Sequence, residues 1–184
     1  MFSSKNNNII YKYFYIICLF LFLIIFPLIF SNYFNFDSGS FYVFPNLALA
    51  GLVYVSAYLD VYSGWIAAYI MFYVYGSMTP LNPSVFGLAG TLSYAASYVV
   101  WRRIPYDNVP NEILITFIVS CIFYFILFLI VFYGLNINFL YWNFILSYGF
   151  PVTVSTALVS PWVFYIFKKI GFGNFLNKKK LMYL

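Results

Sequence analysis

The 184-residue chain contains no histidine and only four acidic residues. It therefore lacks the commonest general base near neutral pH and the commonest metal ligand. Charged residues of both signs make up 7% of the chain, where a soluble domain carries roughly a quarter. So little charge cannot cover a water-facing surface, and an ordinary soluble fold is excluded. Cysteine is scarce too. Cys18 and Cys121 lie far apart in apolar runs, so they read as packing residues and no disulfide framework is visible. Paired carboxylates, a Ser/His set, a metal cluster and a glycine-rich phosphate loop are all missing from the pattern. No enzyme activity and no cofactor are expected. Nor is there a chain of acids through the apolar runs, or a matched pair of broken helices in two halves, as channels and transporters use.

Apolar residues fill the space that charge leaves. They make up 65% of the chain, and the mean hydropathy is +0.91. The expected fold is an all-α integral membrane bundle of six transmembrane helices. The net charge of +5 is no nucleic-acid signal, because the nine Lys and Arg residues sit in flanks and one loop, where they orient a membrane protein.

Residues 1–12 are a polar flank with Lys5 and Lys12, and the membrane domain covers 13–169. The first span, 13–30, is uncharged. It is too long for a signal peptide and no small-residue cleavage site follows, so it reads as an uncleaved helix. The second span, 44–59, opens on Pro45-Asn46 and ends at Asp60. Proline suits a first turn because its missing donor would be unpaired there anyway. The third span, 63–78, follows so closely that the two should form an antiparallel hairpin. A turn with Pro80 and Pro83 precedes the fourth span, 84–101. The fifth span, 113–134, is apolar on every side, and an uncharged aromatic loop leads to the sixth, 144–169. That last span carries Pro151 and Pro161 as expected kinks, whose freed carbonyls neighbouring helices would have to cover. Residues 170–184 form a basic tail with Lys178, Lys179 and Lys180.

Six spans put both termini on one side, and all nine basic residues fall on that side. The positive-inside rule makes it the cytoplasm. Counting the second span as half a crossing would scatter the charges over both faces.

The fourth span is rich in small residues. Ala89, Ser93 and Ser97 recur every four positions, as do Gly87, Thr91 and Ala95. Such stripes let helices approach closely in lipid, so they are the candidate seam for helix packing or for a partner helix. The candidate cytoplasmic contacts are Asp60, Arg102, Arg103, Lys168 and Lys169. Asp60 reads as a cap of the following helix. Asp107 and Glu112 read as counter-charges to Arg102 and Arg103, or as acids favoring a helix start. The lysines suit anionic lipid headgroups.

Three short motifs resemble the bacterial rod shape-determining protein MreD family. Pro45-Asn46 is similar to that family's Pro-Asn or Pro-Asp at the same span. Pro161, Trp162 and Phe164, followed by Lys168 and Lys169, resemble its closing Pro-x-x-Phe and basic residues. Gly76-Ser77 and the small-residue fourth span sit where the family has a Ser-Gly-x-x-x-Gly segment. The family's Asp before that segment is replaced here by Phe72 and neighboring aromatics, and its later glycine by the proline turn. The resemblance implies a non-enzymatic scaffold of the cell-elongation complex in the bacterial cytoplasmic (inner) membrane, acting in cell shape and lateral peptidoglycan synthesis. Its implied partners are membrane lipids, MreC, RodA, a class B penicillin-binding transpeptidase and, indirectly, MreB, with no nucleic acid.

A rival reading is the solute-binding S-component of an energy-coupling-factor vitamin transporter, another small six-helix bundle. Those proteins are expected to dock through an alanine-rich stripe on the first helix. Residues 13–30 hold neither Ala nor Gly.

Overall fold

The computed structural model of the chain describes residues 45–57, 59, 61–79, 82–104, 108–135 and 149–169. All regular structure among them is helical: α1 (Leu47–Ser56), α2 (Val61–Ser77), α3 (Pro83–Trp101), α4 (Val109–Leu135) and α5 (Phe150–Lys169). The expected first span and the basic tail lie outside the described residues.

The fold is assembled around α1. Nine of its ten residues are buried, so it presents no outer face, and α2, α3, α4 and α5 all pack against it. At 1.5 Å per residue a ten-residue helix is about 15 Å long, half of a hydrocarbon core of about 30 Å. The expectation of a full helical crossing over 44–59 is therefore corrected: the helix itself is half a crossing long. It also starts inside the bundle. The Asn46 backbone N–H donates to Thr156 Oγ1 at 2.8 Å, and the Tyr54 ring lies 5.3 Å from Phe164 and 4.9 Å from Phe167. The contacts advance together along both helices, so α1 runs alongside α5 in the same sense and begins well inside it.

A helix that starts in the interior must satisfy its end groups there. Asn46 is the cap of α1: its Oδ1 accepts from Leu49 N at 3.1 Å. At the other end, Val53 O accepts from Trp101 Nε1 and from Ser56 Oγ, each at 2.7 Å. Just past the helix, Leu59 O accepts from Tyr94 Oη at 3.2 Å.

The most extensive helix pair is α2 with α3. It is an antiparallel hairpin built by setting aromatic rings into glycine gaps. A Cβ on Gly64 would fall 1.9 Å from Tyr94 Cζ, and one on Gly90 would fall 2.5 Å from Phe72 Cδ2. No side chain fits at either position unless the ring moves. Such interdigitation brings the two helix backbones close together and fixes their register.

The helix starts follow local rules. Asn82 caps α3, its Oδ1 accepting from Ser84 N at 3.0 Å, and Pro83 occupies the first turn. Pro151 is the second residue of α5 and follows a π-helical Gly149; the turn before it, where the expected kink would show, lies outside the described residues. Pro161 is inside α5 and supplies no N–H to Ala157 O four residues back. Ser160 Oγ donates to Ala157 O at 2.8 Å. The helix thus satisfies the freed carbonyl from within, in place of the neighboring helix expected to cover it.

Candidate functional site

Every charged side chain among the described residues falls at one end of the bundle. Arg102 and Arg103 follow the C-terminus of α3, Glu112 is in the first turn of α4, and Lys168 and Lys169 close α5. The end is tied together by contacts. Trp101 stacks near Phe164, ring centroids 6.3 Å apart, and Lys168 Nζ meets Glu112 Oε1 at 2.5 Å. Antiparallel packing of α4 on α5 causes that meeting, because it sets the first turn of one beside the last turn of the other.

The Glu112 side chain is 4% exposed and that of Lys168 45%. Burying a charge that far is costly unless a partner lies against it, whereas the lysine keeps one side in solvent. Each charge also lies at the helix end that favors it, acid at an N-terminus and base at a C-terminus. The expected pairing of Glu112 with Arg102 or Arg103 is therefore replaced by a pairing with Lys168. Arg102 is exposed, its Nη2 donating to Tyr98 Oη and its Cζ lying 4.5 Å over the Tyr98 ring. Arg103 and Lys169 are exposed. Asp60 and Asp107 lie outside the described residues.

The small-residue stripe of α3 is used inside the chain. Ala89, Ser93 and Ser97 are fully buried, and Gly87 takes the edge of Tyr69. Thr91 and Ala95 are half-buried, with Thr91 Oγ1 donating to Gly87 O at 2.8 Å. Ser97 Oγ and Ser56 Oγ share a hydrogen bond at 2.5 Å. The stripe is thus a seam for α1 and α2, and its buried members offer nothing to an outside helix. Ser56 and Thr156 were missed in the sequence reading; the signal was only a polar residue at an otherwise apolar position.

The family-like residues differ in burial. Pro45 and Pro161 are half-buried, Asn46 and Phe164 are buried, and Trp162 points outward. Asn46 Nδ2 is buried and makes no hydrogen bond among the described residues. Cys121 is exposed on α4 rather than packed in the core; Cys18 lies outside the described residues. Among the described residues no group of three His, Cys, Asp or Glu could hold a metal ion.

The fold and this end define an all-helical apolar bundle with a cationic, ion-paired pole. Two of its helices, α4 over Val109–Tyr133 and α5 over Phe150–Lys169, are long and apolar enough to cross a membrane. Comparison of the chain with protein-family models, curated proteins and solved structures finds no match.

Proposed function

We propose that the chain is a non-enzymatic scaffold of the bacterial cell-elongation machinery, similar to MreD, working in the cytoplasmic membrane. The observation that carries the reading is the packing together of the two helices that bear its end motifs. Pro45-Asn46 opens the buried helix α1, and α1 lies along the α5 segment that bears Pro161, Phe164, Lys168 and Lys169. Asn46 and Thr156, 110 residues apart in sequence, join the two helices that carry these motifs.

The outer surface supports a membrane setting. Tyr62, Trp65, Ile66 and Ile70 on α2, and Phe125 and Tyr133 on α4, are exposed, a pattern that water disfavors and lipid accommodates. In the proposed topology the chain crosses six times with both termini in the cytoplasm, and the cationic pole faces inward. The second crossing contains α1, which the helices packed around it enclose. Because the small-residue seam is consumed internally, partner helices of MreC, RodA and the transpeptidase meet the outward apolar face of α2.

A crosslinked affinity capture of the full chain from native membranes, read by mass spectrometry, tests this. Recovery of MreC, RodA and the transpeptidase is the expected result. Recovery of a pair of ATPases with a transmembrane coupling protein would overturn it in favor of a transporter subunit.

A further inference from the structure

Between the outer faces of α4 and α5 runs an open groove of about 440 Å³, bounded by Pro110, Ile113 and Phe117 on one side and Val154, Ala157 and Leu158 on the other. Its volume lies in the range of small-molecule sites, about 300–1,000 Å³, and its walls are apolar side chains. Val109 and Pro110 place it against the first turn of α4, next to the Glu112–Lys168 pair. The cationic pole therefore adjoins the groove.

The α5 wall shows how the two are connected. Val154, Leu158, Trp162, Tyr165 and Lys169 are spaced by four, four, three and four residues, which sets them along one helix face. Trp162, Tyr165 and Lys169 on that face are all exposed. An apolar wall leading to Trp and Tyr and then to a cation follows the profile of a bilayer leaflet, with aromatics at headgroup depth and basic residues beyond. Lys168 is committed to Glu112 and Arg102 to Tyr98, whereas Lys169 has no ion-pair partner among the described residues. The pole carries four cations against one carboxylate among those residues.

We infer that this groove holds an acyl chain of an anionic phospholipid, whose headgroup phosphate is taken by Lys169. The inference rests on the reading of the chain as a membrane protein and adds a defined lipid site to it. The apolar walls fit the chain, and the uncommitted lysine beyond Trp162 and Tyr165 fits the phosphate. A zwitterionic lipid fits the walls equally well but gains less from the excess positive charge.

Two measurements separate the site from the reading beneath it. Carbonate extraction of membranes holding the full chain comes first: retention in the pellet is expected, and release would overturn the membrane reading itself. Native mass spectrometry of the purified full chain then follows titration with phosphatidylglycerol or phosphatidylcholine. One tightly retained phosphatidylglycerol is expected. Lys169→Gln should weaken it by about fivefold while Lys169→Arg keeps it. Leu158→Trp, at an exposed position, should fill the groove and abolish retention with an unchanged melting temperature. Equal retention of phosphatidylcholine, or wild-type retention by Lys169→Gln or Leu158→Trp, would overturn the site.

Discussion

Glu112 and Lys168, 56 residues apart, meet at 2.5 Å and join the first turn of α4 to the last turn of α5. The pair is asymmetric, because only the lysine reaches solvent. Removing the lysine strands a buried carboxylate, whereas removing the acid leaves a lysine that can swing outward. Lys168→Met should therefore destabilize by about 2–4 kcal/mol and Glu112→Gln by about 1 kcal/mol or less. Thermal unfolding of both variants in one detergent checks the order; equal losses would count against the asymmetry.

The glycine gaps of the α2–α3 hairpin make a second prediction. Gly64→Ala puts a methyl group where the Tyr94 ring lies, so the ring or the helix must shift, at a typical cost of about 1–3 kcal/mol. Adding Tyr94→Leu to Gly64→Ala should recover part of the loss, less the hydrogen bond to Leu59 O. A double variant no more stable than Gly64→Ala would show that the close approach is not the cause.

Helix α1 is held at both ends by side-chain hydrogen bonds. Asn46→Ala removes the cap and should cost about 1–2 kcal/mol. Trp101→Phe keeps most of the ring packing but leaves Val53 O with one donor fewer, at about 1 kcal/mol. Hydrogen exchange in detergent should speed up locally at α1 amides in both variants, without equal change in α4.

The α3 serines answer whether their seam is internal. Ser97→Ala deletes the hydrogen bond with Ser56 and should cost about 0.5–1.5 kcal/mol. Ser93→Leu forces bulk into a fully buried site and should cost about 1–3 kcal/mol or prevent folding. A Ser93→Leu chain with wild-type thermal stability but impaired partner capture would place the seam outside the fold.

A topology reporter fused after Lys180 should report the cytoplasm, as the positive-inside rule requires of a pole with this charge. Impermeant labelling of Arg103→Cys in a Cys-free background checks the described part of the chain independently: it should react from the cytoplasmic side only.

The helical, apolar character of the chain was legible because it depends on counts alone, the scarcity of charge and the runs of apolar residues. The start of α3 was legible too, since Asn82-Pro83 is local chemistry that acts on its own backbone. The second span shows where such reading stops. Its apolar length resembled that of its neighbors, yet Asn46 finds Thr156 inside the bundle and starts the helix there. Nothing near Asn46 in sequence specifies that partner. The candidate pole was partly legible for the same reason: the basic residues were plain, but the burial of Glu112 and its choice of Lys168 over Arg102 depended on which helix ends became neighbors.

By itself the sequence determined the apolar, helical character and the placement of the basic residues outside the apolar runs, because composition and short-range backbone chemistry act without knowledge of the fold. Tertiary structure alone decided that α1 is half-length and enclosed, that the small-residue stripe of α3 is spent on the chain's own helices, and that Glu112 is paired with Lys168. Each of these depends on contacts between residues tens of positions apart, and such contacts are set by which helix faces and ends come together in packing.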